Sequence, residues 1–391
     1  MAERAYITPK VLKWARESAR MDKYTAASKA SVSSEKLIDW EEGGSRPTIR
    51  QAQSLAKAYK RPFALFFLPD IPKDFQPLQD FRKKGSKPLG TASVFIIREI
   101  QQKQAWISEM NEDNNEEEIP FIGKYTIHDK PKDVANDILN TLEIDPLDYN
   151  MDNPIREWID KAESKGIFIS RTSFIHSKLK LDSDELQGFA IADKFAPFVF
   201  INSDDWNAPQ LFTLVHELAH IWTAQTGISN SIEPKAKYDN INPVEMFSNE
   251  VAANALMPDR FMYDISNDVF NSARSVFKVS KELGISSFAF LVRALNLKLI
   301  SFSVYNKLHK EAYIEYQDFL IREAEKKRKL KSKEKKGGPN YYLLQLNKNS
   351  RLFTQTVIDA FRGGKIEPTL ASNLLNVKSN KFSKLEAQLY K

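Results

Sequence analysis

The sequence predicts an α+β protein, mostly helical, with a small sheet behind one buried helix. Three observations lead there. Apolar residues recur at helical spacing along most of the chain, strand-like runs are confined to residues 167–202, and a His-Glu-x-x-His motif follows those runs directly. At 391 residues and 44.9 kDa the chain exceeds one ordinary core, so two or three domains are expected. A hydrophobic share of 42% against 28% charged residues excludes a disordered chain. The absence of cysteine excludes a disulfide scaffold and any thiolate metal site. The N-terminus lacks the apolar run of a signal peptide, and the densest apolar stretch, Phe63 to Leu68, is too short to span a bilayer. A cytoplasmic location with no membrane partner is the expectation.

Residues 1–72 read as a domain of four or five short helices. Val11, Leu12, Trp14 and Ala15 form one apolar face, and Ala26, Ala27 and Ala30 are small enough for a close helix crossing. Ser33 or Ser34 can cap a third helix carrying Leu37, Ile38 and Trp40. Thr48, after Pro47, opens a fourth with Ile49, Ala52, Leu55, Ala56 and Tyr59. Through Ala27, Val32-Ser33, Leu37-Ile38, Trp40-Glu41-Glu42-Gly43 and Arg46-Pro47-Thr48, this segment resembles the phage-repressor-type (XRE) helix-turn-helix family. It departs from the family at Ala30-Ser31, where glycine is usual, so Ser31 has to take a left-handed turn. The resemblance implies operator DNA as a partner, homodimers, and a third helix in the major groove. By position Ser33, Ser34 and Lys36 would meet base edges, with Arg46 and Arg50 available for phosphates. The segment holds 13 Lys/Arg against 8 Asp/Glu, which suits that partner, while Glu35 and Asp39 on the same helix oppose it. Docking of another protein is the competing use of this module.

The run from Arg61 to Pro69 reads as a buried connector. Residues 73–130 are expected to be a helical connector, with an amphipathic helix over 94–110 and an acidic, Asn-rich loop from Asn111 to Glu118. Helices are predicted over 131–142 and 154–166. Ile167-Phe168-Ile169-Ser170 alternates as a strand, and residues 188–192 and 198–202 read as a hairpin pair. Residues 131–335, trailing helices included, are expected to form one domain around them.

Its centre is Leu214-Val215-His216-Glu217-Leu218-Ala219-His220-Ile221-Trp222. Histidines four apart on a helix share one face, so two imidazoles can hold one divalent metal. Glu217 falls beside the open coordination position, where it can accept a proton from water. Only five histidines occur in the chain, and two are placed here. His128, His176 and His309 have no ligand spacing and read as surface or core residues.

The third ligand must lie downstream. A second His-based pattern would need Gly at 223 and His at 226, and the chain has Thr223 and Thr226. Residues 243–258 offer Glu245 and Glu250, which lie about 140° apart around a helix and cannot both face the metal. Asn249 is one turn after Glu245, on the face that carries Ala252 and Ala253. Glu245 is therefore assigned as ligand, with Asn249 behind the metal ligands. No oxyanion-stabilising residue can be assigned, with Tyr238 and Tyr263 left open.

Phe212-Thr213-Leu214-Val215-His216-Glu217-Leu218-Ala219-His220, together with Glu245, Phe247-Ser248-Asn249, Val251-Ala252-Ala253 and Leu256-Met257-Pro258, resembles the ImmA/IrrE metallopeptidases. Gly188-Phe189-Ala190 and Pro197 to Asn202 extend the resemblance upstream. It implies a zincin-like fold, zinc or sometimes manganese, and a repressor-like regulatory protein as substrate in a mobile-element or stress-response system.

Residues 280–301 read as a further helix-turn-helix that packs over the peptidase domain, and 340–391 as a small helical C-terminal unit. The basic run from Lys326 to Lys336 reads as a solvated helix end leading to a Gly337-Gly338-Pro339 linker. Two functions stay open. One is a helix-turn-helix-linked zinc protease. The other is a DNA-binding repressor or antitoxin whose metal domain is structural and engages a cognate toxin. An intact Glu217 favours the first.

Overall fold

The computed structural model describes residues 3–73, 77–82, 85–148, 153–176, 179–204, 207–229, 242–333 and 340–391. In chain order the elements are α1 (Pro9–Ser18), α2 (Lys23–Lys29), α3 (Ser34–Glu42), α4 (Ile49–Ala58), β1 (Gln79–Asp80), α5 (Thr91–Asp113), α6 (Pro131–Leu142) and α7 (Pro154–Ser164). There follow β2 (Phe168–Thr172), β3 (Phe174–His176), β4 (Leu179–Lys180), β5 (Gly188–Ile191), β6 (Phe198–Asn202), α8 (Asn207–Trp222), β7 (Gly227–Ser229) and α9 (Pro243–Leu256). The chain closes with α10 (Asp259–Asp264), α11 (Ala273–Glu282), α12 (Ser287–Asn296), α13 (Phe302–Lys333), α14 (Tyr341–Asn349), α15 (Arg351–Arg362), α16 (Pro368–Leu375) and α17 (Phe382–Leu389). This is the mostly helical α+β architecture with a small mixed sheet that the sequence predicts.

The chain divides into two compact units. The first comprises Met1–Pro77, Lys87–Gln102 and Phe174–Glu185; the second comprises Leu78–Ser86, Lys103–Ser173 and Leu186–Lys391.

In the first unit the Ser33 cap, the Thr48 helix start and the Ser31 turn act as read, and further local signals join them. The Asp22 carboxylate accepts from Thr25 N and the Ser33 hydroxyl from Lys36 N, capping α2 and α3. Gly43, in the left-handed region at φ 84°, ends α3, and Thr48 with Gln51 forms a capping box on α4. Ser31 does take the left-handed conformation, at φ 57°. Leu37 and Trp40 of α3 are buried with Val11, Leu12 and Ala15 of α1. Beside them the Arg16 guanidinium donates twice to the Glu41 carboxylate, at 2.7 and 2.9 Å.

The Arg61–Pro69 run differs from its expected burial. A 3-10 turn over Phe63–Phe67 buries only Phe66; Phe67 and Leu68 are exposed, because so short a turn can direct few of its side chains to one side.

The second unit is built on a five-stranded sheet in the order β1-β7-β5-β6-β2. β5 and β6 pair antiparallel, with Gly188 opposite Ile201 and Ala190 opposite Val199. β2 joins β6 in parallel, β7 joins β5 antiparallel, and β1 closes the far edge parallel to β7. Both faces are covered, so the central strands are buried along their whole length. Ala190, Val199, Ile201 and Ile169 enter one large apolar core with α6, α7, α8, α9 and α12. Phe168 and Phe198 stack on one another and meet Phe353 of α15 edge-on. The C-terminal helices are bound to this body by polar contacts as well. Ser170 Oγ donates to the Lys348 carbonyl, Lys103 Nζ to Asn349 Oδ1, and Ser350 Oγ to the buried Glu163.

Residues 280–301 pack as helices: Phe290 and Leu291 of α12 are fully buried in the core. α13 runs to Lys333, and the Gly337–Pro339 linker lies outside the described residues. Among the described residues no helix is long and apolar enough to cross a membrane.

Candidate metal centre

α8 is apolar on nearly all sides, as a helix enclosed by a core must be. Leu214, Val215, Leu218, Ala219 and Ile221 are fully buried and carry His216, Glu217 and His220 into the same interior. Pro243 starts α9, whose Ala252 and Ala255 are fully buried, small contacts in the core shared with α8. That brings Glu245 to the histidine pair. His216, His220 and Glu245 offer ligand atoms that all lie within 4.8 Å of one another. Glu250, the competing acid, is exposed on the other side of α9.

The spacings fit a shared cation. His216 Nε2 and His220 Nε2 are 3.1 Å apart, and the Glu245 carboxylate oxygens lie 3.6 and 3.3 Å from them. Two ligands at the usual 2.0–2.1 Å from a tetrahedral metal stand about 3.3 Å apart. Both Glu245 oxygens and Glu217 Oε1 are buried without a hydrogen-bond partner among the described residues. Such groups are costly to bury unless a cation or proton meets them. The donor set is two imidazoles and one carboxylate, the set of a catalytic zinc site with an open position.

Surrounding groups orient the ligands. Asn249 Oδ1 lies 3.0 Å from His216 Nδ1. With Nδ1–H donating there, the Nε2 lone pair faces Glu245 and His220. Ser229 Oγ donates to Glu217 Oε2 at 3.3 Å and lies 3.3 Å from His220 Nε2, so the Glu217 carboxyl stands beside the ligand nitrogens. The Phe81 ring is stacked on His220, with centroids 5.4 Å apart and planes 2° from parallel. A Cβ at Gly188 would fall 2.6 Å from Glu217 Oε1, so only glycine leaves room for the carboxyl there.

Burial pushes the Glu217 carboxyl up to about 8, with Glu245 adding to the rise and the His216 charge and the Ser229 hydrogen bond opposing it. Burial also acts to raise Glu245, but the two imidazoles overcome it and hold that carboxyl below its ordinary range. Burial lowers His220; it is also the largest influence on His216, but there Glu245, Glu217 and the Asn249 hydrogen bond together outweigh it and raise the ring. One carboxylate is thus held charged among the ligands and the other is held ready to carry a proton.

Residues 162–295 match the IrrE N-terminal-like domain family, Peptidase_M78. The IrrE-like segment contains the whole of α8 and α9 and every strand of the sheet except β1, and it supports the ImmA/IrrE metallopeptidase reading of that part of the chain. No curated protein matches the chain.

The remaining site residues read from sequence fall elsewhere. Tyr263 is 60% exposed on α10, unlike the wholly buried ligands, and Tyr238 lies outside the described residues. Among the described residues no metal cluster includes His128, His176 or His309. In the first unit Ser33 and Ser34 begin α3, and Lys36 Nζ donates to Asp39 at 2.9 Å. Arg46 lies 4.0 Å over the Tyr6 ring, and Arg50 is exposed on α4. Arg4, Lys36, Gly43, Gly44, Ser45 and Arg46 line one open cleft.

Sequence reasoning missed Ser229, Phe81 and the need for Gly188. A glycine inside a strand signals close approach, so Gly188 carried a usable sign. Ser229 and Phe81 carried none, since both reach the site only through strand pairing.

Proposed function

We propose that the second unit is a zinc-dependent endopeptidase acting on a regulatory protein. The observation that carries it is the buried convergence of His216, His220 and Glu245 with Glu217 beside them. His216, His220 and Glu245 would hold zinc, with manganese as the possible substitute. When bound, the metal supplies Lewis acidity toward the scissile carbonyl and lowers the pKa of a water molecule. Glu217 would accept a proton from water at its carboxyl oxygen and return it to the leaving amine. Ser229 holds Glu217 in reach of that exchange, and Asn249 keeps the His216 ring in the tautomer that presents Nε2. The enclosing core keeps bulk water away from the carboxyl pair.

A repressor-like protein is the substrate we favour; the first unit orders four short helices with Ser31 left-handed between the second and third, which supports reading it as a repressor-type module. Ser33, Ser34, Lys36, Arg46 and Arg50 would meet operator DNA there, in a homodimer.

The test is a zinc-loaded Glu217→Gln chain mixed with candidate repressors. Retained zinc with cleavage lost at least a thousandfold is expected, on the order of what proton transfer and charge placement contribute together. Equal cleavage by wild type and variant would end the peptidase reading.

A further inference from the structure

β1 is a strand of two residues, yet it holds the position at the sheet edge nearest the metal ligands. Gln79 pairs with Gly227 and Asp80 with Ile228, and Phe81 N donates to the Ile228 carbonyl at 3.0 Å. Of this segment only Phe81 is buried, at 1% exposure, with Gln79 and Asp80 on the surface. The ring enters a slot between the His220 imidazole and the backbone of Gly227. A Cβ at Gly227 would lie 2.2 Å from Phe81 Cε2 and 2.7 Å from the Gln79 carbonyl oxygen, so the slot exists only because residue 227 has no side chain. His216, Glu217 and His220 are entirely buried in this arrangement.

An extended peptide bound by main-chain pairing needs an open strand edge beside the metal. Here the chain's own residues 79–81 fill that edge. We propose that they are an intramolecular occupant of the peptide-binding edge of β7, and that the slot filled by Phe81 receives an aromatic side chain of the protein segment that displaces them. This rests on the peptidase reading of the site and adds its regulation and a side-chain preference. Residues 79–81 meet β7 through two paired residues and seat one ring, and the adjoining Arg82 pairs with Asp80, so the cover is a short segment that an incoming strand can replace.

The test uses the full-length, metal-free chain and reads carbethoxylation of His216 and His220 by peptide mapping. Phe81→Ala is expected to raise the rate about tenfold, and Gly227→Ala, which expels the ring from the opposite side, to do the same. The double variant should match the singles, because both act through one ring. The pentapeptide Leu-Gln-Asp-Phe-Arg should restore protection to Phe81→Ala, and its Phe-to-Ala analogue should not. Melting curves establish that each variant is folded. Wild-type rates in both folded single variants, or equal protection by the two peptides, would overturn the proposal. Loss of cover without cleavage of any substrate by the zinc-loaded chain would overturn the peptidase reading alone.

Discussion

The Oδ1 of Asn249 stands 3.0 Å from Nδ1 of His216, and Glu245, one turn earlier on α9, stands 3.6 Å from Nε2 of the same ring. One helix therefore grips both nitrogens of a single imidazole. The contact at Nδ1 fixes the tautomer, and Nε2 is left able to share a cation with the carboxylate.

Removing Asn249 should loosen the site without dismantling it. Asn249→Ala is expected to weaken zinc affinity about 10–100-fold, read by competition with a calibrated chelator. An unchanged affinity would show that the His216 ring is held by packing alone.

The two acids of α9 should separate cleanly. Glu245→Ala should abolish stoichiometric zinc in elemental analysis, because a charged ligand is lost from a wholly buried site. Glu250→Ala, on the exposed side, should retain it. The reverse outcome would refute the ligand assignment.

Glu163 should make stability depend on pH. Burial pushes its carboxyl up to about 7 from 4.5, against hydrogen bonds from Ser350 Oγ and the Arg351 amide. A raised carboxyl favours the protonated folded form, so its contribution is complete below pH 4.5 and is lost as pH rises through about 7. The loss is on the order of 2–3 kcal/mol across that window. Glu163→Gln keeps an acceptor for Ser350 and should flatten the difference between urea midpoints at pH 5 and pH 8. The same slope in both proteins would count against it.

In the first unit, the Arg16–Glu41 pair is bidentate and buried on both sides. Glu41→Ala should destabilise that unit by about 3–5 kcal/mol by leaving a buried guanidinium with only its longer contacts to Glu17 and the Met21 carbonyl. Replacing both partners with apolar residues should recover most of the loss in thermal melts. A double variant no better than the single would assign the cost to packing.

If α3 and α4 meet duplex DNA, Arg46→Ala and Arg50→Ala should each reduce the salt dependence of binding by about one phosphate contact. Fluorescence anisotropy between low and moderate salt measures this slope. Failure of the wild-type chain to bind any duplex at low salt would leave protein docking as the use of this module.

The convergence of His216, His220 and Glu245 was legible in sequence because it is written in helix phase. The four-residue spacing of His216 and His220 sets both rings on one face, and the angle between Glu245 and Glu250 leaves only one acid for the metal. The caps at Ser33 and Thr48 and the left-handed turn at Ser31 are local in the same way, each decided within a few residues. The tertiary structure alone decided what surrounds the ligands. Ser229 and Phe81 arrive through β7 and β1, strands too short to show a period, and β1 joins its partner across well over a hundred residues of intervening chain. Short-range spacing determines which side chains share a face. Which distant backbone completes a sheet edge depends on pairing and close approach, and here on the empty space left by Gly188 and Gly227.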